Sequence, residues 1–176
     1  EKPMDIERKD GTTFKGSPLT LIGGEIKVGQ KAPEFSALAG DLSAVTLASS
    51  KGKTRLFVVV PSLDTPVCDQ EARKFNEEVA SLSGVQAYVI SVDLPFAQAR
   101  FCQTADIKNL QTLSDHRDVS FGQAYGTLIK ELRLLSRAIF VVDANDTVTY
   151  VEYVPEMTNP PNYEAALNAL KVPASR

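Results

Sequence analysis

Residues 54–60 read Thr-Arg-Leu-Phe-Val-Val-Val, and this run narrows the possible folds more than any other feature of the chain. Continuous β-branched and aromatic residues, without polar alternation, suit a strand covered by other elements on both faces. The run is far short of the ~20 apolar residues that span a bilayer. Pro61 ends it, and a helix follows in which Ala72, Phe75, Val79 and Leu82 recur at helical spacing. Pro66 suits the first helical position, Thr65 can cap it, and Gly84 marks its end. A second buried strand is expected at 85–92 and a helical segment at 95–102.

The remainder fits around that core. Short runs at 12–15 and 19–22 flank Gly16-Ser17-Pro18 and predict an N-terminal hairpin. Residues 45–47 suit either a short strand or a surface segment, and 119–125 a short helix closed by Gly126. Strands at 138–142 and 147–154 are joined by Asp143-Ala144-Asn145-Asp146, a turn composition that predicts an antiparallel pair. Residues 163–170 form an amphipathic helix. Two parallel strands joined by a right-handed crossover and extended by an antiparallel pair make a thioredoxin-like α/β arrangement. The organisation expected is a loose N-terminus over 1–11 and one domain over 12–176.

Charge and composition exclude several functions. The net charge is −3, and nothing supplies the basic face that a phosphate backbone rewards. Lys51, Lys53 and Arg55 read as a solvated edge, so no nucleic-acid partner is expected, and no membrane partner either. His116 reads as a surface residue. With one His and two Cys, and no paired metal-ligand spacing, no metal or other cofactor is expected. The stretch Gly24-Glu25-Ile26-Lys27-Val28-Gly29-Gln30-Lys31 lacks the lysine position of a phosphate loop. No basic opening followed by an apolar block is visible at the N-terminus. A cytoplasmic protein is expected, with the periplasm open because a leader could have been removed.

The two cysteines, Cys68 and Cys102, carry the sharpest question. Cys68 falls in the first turn of the expected helix, where free backbone N–H groups and the positive end of the dipole favour a thiolate. An unperturbed thiol near pKa 8.5 is about 3% ionised at pH 7, whereas one held near 6 is about 90% ionised. A nucleophile that attacks a neutral oxygen needs that difference. The alternative is a buried, inert cysteine.

The string Pro61-Ser62-Leu63-Asp64-Thr65-Pro66-Val67-Cys68, followed by Arg73-Lys74-Phe75-Asn76, resembles the active-site motif of the peroxiredoxins, in particular their bacterial thiol peroxidase branch. Asp93-Leu94-Pro95-Phe96-Ala97-Gln98, then Arg100-Phe101-Cys102, resembles the resolving-cysteine segment of the same branch. Arg137 stands where that family has its active-site arginine. The resemblance extends from about residue 12 to 171. It implies a peroxiredoxin-type thioredoxin fold with an N-terminal hairpin extension.

It also implies roles. Cys68 would be the peroxidatic cysteine, oxidised to a sulfenic acid by hydrogen peroxide or an alkyl hydroperoxide. Thr65 would hold thiolate and peroxide, Pro61 would shield the thiolate from water, and Arg137 would stabilise charge. Cys102 would resolve the sulfenic acid as an intramolecular disulfide, reduced in turn by thioredoxin, in a homodimer. A disulfide closing so long a loop stabilises the oxidised form by roughly 4 kcal/mol before strain. Each residue has a plainer alternative: Thr65 as a cap alone, Pro61 as a strand end, Arg137 as a solvated charge, Cys102 as packing. A redox sensor would share the first chemical step, and a structural bridge is a third possibility.

Overall fold

The computed structural model describes residues 5–171. In chain order the elements are a hairpin of β1 (Glu7–Phe14) and β2 (Ser17–Ile22), then β3 (Ser36–Leu38) and β4 (Ala44–Thr46). A turn of 3-10 helix at Leu47–Ser50 leads to β5 (Thr54–Val59), α1 (Pro66–Val79), β6 (Val85–Ser91) and α2 (Pro95–Ala105). They are followed by β7 (Gln111–Ser114), α3 (Ser120–Ala124), β8 (Leu128–Ile129), β9 (Ala138–Val142), β10 (Val148–Tyr153) and α4 (Tyr163–Leu170).

One sheet of seven strands has the order β10-β9-β5-β6-β7-β3-β4, and β1-β2-β8 form a second. β5 lies parallel to β6 and antiparallel to β9, so the apolar run is a central strand. Its side chains alternate between two cores. Phe57 and Val59 enter an aromatic layer with Phe35, Phe121, Tyr125 and Phe140. Leu56, Val58 and Val60 meet Ala72, Phe75 and Val79 of α1 and Ala166 and Leu170 of α4. Burial on both faces is why this strand carries no polar alternation. Edge-to-face contacts, such as Phe35 on Phe57 at 5.5 Å between centroids, order the aromatic layer.

The thioredoxin-like α/β arrangement expected from the order of elements is present, with the N-terminal hairpin as an extension. Several details differ. The hairpin begins at Glu7, so 7–11 belong to a strand rather than to a loose terminus; the expectations for 1–4 and 172–176 lie outside the described residues. α1 ends at Val79, short of Gly84, and Leu82 packs on the core from the following turn. β3 and β7 were not expected. β7 makes a third parallel strand beside β6, although Gln111 and Thr112 give it little apolar signature.

Arg55 corrects the reading of a solvated edge. It is fully buried, because β5 enters the sheet between β6 and β9 from its first residues. Its guanidinium donates to Ser50 Oγ at 2.9 Å, Asp143 O at 2.8 Å and Leu47 O at 3.1 Å. It also pairs with Asp146 Oδ1 at 2.7 Å. The cation therefore closes one end of the sheet by satisfying carbonyls that would otherwise be orphaned. Arg55→Met should lower unfolding free energy by about 3 kcal/mol, because those buried acceptors lose their partner; urea denaturation measures it, and a change under about 0.5 kcal/mol would contradict this role.

Candidate active site

The site begins where β5 stops. Pro61 ends the pairing, and the loop to Thr65 turns the chain into α1. Thr65 has extended backbone (φ −132, ψ 150) and Pro66 opens the helix. The first helical hydrogen bond, Asp69 N–H to Thr65 O, spans 2.9 Å. The Thr65 hydroxyl does not cap that helix. It donates back to Ser62 O at 3.0 Å, so Thr65 is the cap by backbone position alone. No side chain caps the first turn, so its N–H groups are left without a side-chain acceptor.

Cys68 lies in that first turn, fully buried against Leu63, Ala72 and Phe75 in the α1-side core. Pro61, Thr65, Pro66 and Val67 line a cavity of about 250 Å³ whose other walls include Arg137, Met157 and Phe14. Three of the residues singled out in the sequence, Pro61, Thr65 and Arg137, thus converge on one space beside the Cys68 turn. Lys15 and Thr158 complete its wall, and the surface it exposes is almost wholly apolar.

Arg137 is buried, not a solvated strand-edge charge. Its Nε and Nη2 donate to Met157 O at 3.1 and 2.9 Å, and Nη1 donates to Glu71 Oε1 at 3.3 Å. The side chains are 2% and 0% exposed. Burial pushes the Glu71 carboxyl up to about 8, and the Arg137 guanidinium beside it only partly opposes that shift. Glu71 Oε2 has no hydrogen-bond partner among the described residues. The guanidinium is thus held between a backbone carbonyl and a carboxyl that burial pushes above its usual range. Tyr163 closes the arrangement. Its ring packs on Phe75 at 5.3 Å, and its phenol is raised by burial and by the fields of Glu71 and Cys68, with Arg137 opposing.

Neither cysteine lines this cavity: Cys68 is buried behind its Thr65–Val67 wall, and Cys102 lies on another helix. Cys102 sits half-buried on α2, a free thiol like Cys68, with Sγ 3.8 Å from Thr112 Oγ1 of β7. Burial raises its pKa, and the Thr112 hydrogen bond opposes the shift. Both cysteines pack on the same core, yet each is held within its own helix. Glu71 was missed in the sequence, although the signal was there: it stands one helical turn after Cys68, on the face that Ala72 and Phe75 mark as inward.

The coupling of Glu71 to its surroundings has a measurable sign. Between about pH 4.5 and about 8 the unfolded chain releases this proton while the folded chain keeps it, so stability falls as pH rises through that window. Glu71→Gln should remove this slope. Relative to wild type, the variant should gain on the order of a few kcal/mol between pH 5 and pH 8 in urea denaturation; parallel pH profiles would refute a raised carboxyl.

Comparison with known proteins agrees with this geometry. The Redoxin family model matches residues 27–167. A thiol peroxidase of Halalkalibacterium halodurans is 65% identical over 159 residues, 90% of this chain and 96% of that protein. A thiol peroxidase of Bacillus subtilis is 56% identical over the same length, 90% of this chain and 95% of that protein. Among solved structures, a peroxiredoxin-like protein from Aquifex aeolicus superposes with a TM-score of 0.87 at 42% identity, covering 93% of this chain and 96% of that one. A thiol peroxidase from Chromobacterium violaceum gives 0.83 at 25% identity, covering 91% and 94%. With a family match over most of its length and relatives this close, the chain belongs to the redoxin family, in its bacterial thiol peroxidase branch.

Proposed function

We propose that this protein is a one-domain hydroperoxide reductase whose nucleophile is Cys68 and whose resolving thiol is Cys102. The observation that carries the reading is the single cavity shared by Pro61, Thr65 and Arg137 at the uncapped start of the helix that bears Cys68. In the first step the Cys68 thiolate attacks the terminal peroxide oxygen. The S–O bond forms as the O–O bond breaks, sulfur is oxidised by two electrons, and the leaving oxygen departs as water or an alcohol after taking a proton. Arg137 stabilises charge on that oxygen from a dry, fixed position. The Thr65 hydroxyl, already oriented on the loop, aligns the O–O bond, and Pro61 excludes water.

In the second step the Cys102 sulfur attacks the sulfenic acid, a Cys68–Cys102 disulfide forms and water leaves. A disulfide requires Cα atoms within about 7 Å and a defined torsion, and here each sulfur is carried on its own helix, Cys68 on α1 and Cys102 on α2. The start of α1 and the segment 95–102 therefore unwind together. Unwinding also takes Cys102 out of the burial that raises its pKa, so opening both delivers and activates the resolving thiol.

Thioredoxin is the proposed reductant, returning the disulfide to two thiols. The substrates are hydrogen peroxide and alkyl hydroperoxides, for which the apolar lining leaves room. A homodimer is the proposed assembly, consistent with Leu94 and Phe96 standing 48% and 67% exposed as surface of the kind that subunit contacts cover. A thiol pair cycled by thioredoxin fits a reducing compartment, and the cytoplasm is the one proposed.

Mixed with thioredoxin, thioredoxin reductase and NADPH, the protein should consume NADPH continuously once a hydroperoxide is added. A single stoichiometric oxidation would favour a redox sensor instead. Cys68→Ser should abolish turnover. Cys102→Ser should allow one fast oxidation and then stall; sustained turnover there would reassign the resolving thiol.

A further inference from the structure

The segment that must release Cys68 and the segment that must release Cys102 meet at one carboxylate. Asp93 lies between β6 and α2. Its Oδ1 accepts the Ser62 hydroxyl at 2.7 Å, and its Oδ2 accepts Leu63 N–H at 2.8 Å. Ser62 and Leu63 belong to the loop that delivers α1. Ser62 O in turn accepts the Thr65 hydroxyl, and Ser62 Oγ accepts Asp64 N–H at 3.1 Å, so one residue orders that whole loop. On the other side, Asp93 Oδ2 accepts the Ser91 hydroxyl at 2.8 Å. Ser91 Oγ accepts Gln98 Nε2 at 3.1 Å, and Gln98 is a buried residue of α2. The Asp93 carbonyl accepts Ser114 Oγ at 2.6 Å, fixing the base of the arrangement to β7. A cleft of about 710 Å³ separates the loop from the outer face of α2, with Leu63 on one side and Phe101 on the other. The hydrogen bonds of Asp93 tie its two walls together.

We propose that Asp93 is a positioning residue that clasps the two segments in the closed form, and that release of this clasp makes them open as one unit. The proposal rests on the assignment of Cys102 as resolving thiol. Closed, the Thr65 loop and the Cys68 turn are held in place for attack on the first hydroperoxide. After that attack the sulfenic acid has two fates. In the open form it meets Cys102, giving the disulfide and water. In the closed site a second hydroperoxide molecule oxidises it by two more electrons to the sulfinic acid and departs as water or an alcohol. The strength of the clasp therefore sets the partition between disulfide and sulfinate. A clasp built from one carboxylate shared by both walls also avoids opening one wall without the other, which would expose a sulfenic acid with no thiol in reach.

The experiment mixes reduced protein with excess cumene hydroperoxide, without thioredoxin, and measures disulfide and sulfinate at Cys68 by peptide mass spectrometry. Asp93→Asn, which loses charge-assisted acceptance, and Asp93→Ala, which removes every side-chain link, should each raise the disulfide-to-sulfinate ratio about tenfold. Both should slow the first oxidation of Cys68. Ser62→Ala should shift the ratio the same way and add nothing to Asp93→Ala, since both cut one chain of contacts; it also carries the test if the Asp93 variants do not fold. Arg55→Met, destabilised elsewhere, should leave the ratio unchanged. A ratio unmoved by the Asp93 and Ser62 variants, or moved equally by Arg55→Met, overturns the clasp. Wild-type protein that forms no Cys68–Cys102 disulfide overturns both the clasp and the assignment of Cys102.

Discussion

A guanidinium withdrawn from water must find fixed acceptors, and the way Arg137 finds them organises everything around the thiol. Two of its N–H groups converge on one backbone carbonyl, Met157 O, and a third meets Glu71. A fully ionised Glu71 would form a buried ion pair and spend the charge internally. A carboxyl raised by burial orients the guanidinium while taking up less of its charge, which on the proposed mechanism acts at the sulfur. The electrostatic asset of the site thus depends on the dryness that raises Glu71, and that dryness depends on the packing of α1 and α4 against β5 and β9.

Met157 O is held in place by the N-terminal hairpin. Met157 N–H donates to Thr13 O at 2.8 Å and Thr13 N–H donates to Pro155 O at 2.8 Å, so the 155–157 segment continues β1 as a partner. Glu156 completes the join. Its carboxylate accepts the Thr13 hydroxyl, Lys15 N–H, Gly16 N–H and the N–H and hydroxyl of Thr158. These bonds hold its pKa well below the usual carboxylate range. The hairpin is therefore more than an appended ornament on a thioredoxin-like core: it braces the loop whose carbonyl holds Arg137, and its Phe14 also forms part of the cavity wall.

Much of this was legible in the sequence where chemistry is concentrated in contiguous residues. The stretch from Pro61 to Cys68 carries strand end, loop, cap position and a first-turn cysteine in one window, and its resemblance to a known family pointed to Arg137, which the structure places on the same cavity as Pro61 and Thr65. What escaped had physical reasons. Met157 contributes through a carbonyl that any residue possesses, so its identity conveys nothing. Arg55 sits at the start of an apolar run beside two lysines, and only the strand order reveals that its guanidinium points into the sheet rather than away from it. β7 is polar at Gln111 and Thr112 and gains its strand conformation from pairing with β6. Thr65 was expected to cap with its hydroxyl, but the nearer Ser62 carbonyl won that hydrogen bond. Glu71 alone was recoverable in principle, as a carboxylate on a helix face otherwise marked as internal.

The brace between the hairpin and the 155–158 loop joins segments far apart in sequence, and this has a bearing on biosynthesis. Translation is vectorial, and the N-terminal parts of a chain emerge first. Cys68 leaves the ribosome with β1 and β2 already made, but long before the carbonyl that aims Arg137 exists. Throughout that interval the nascent polypeptide carries its cysteine without the assembled electrostatic environment. On the proposed mechanism, the reactivity of Cys68 therefore waits for completion of the fold.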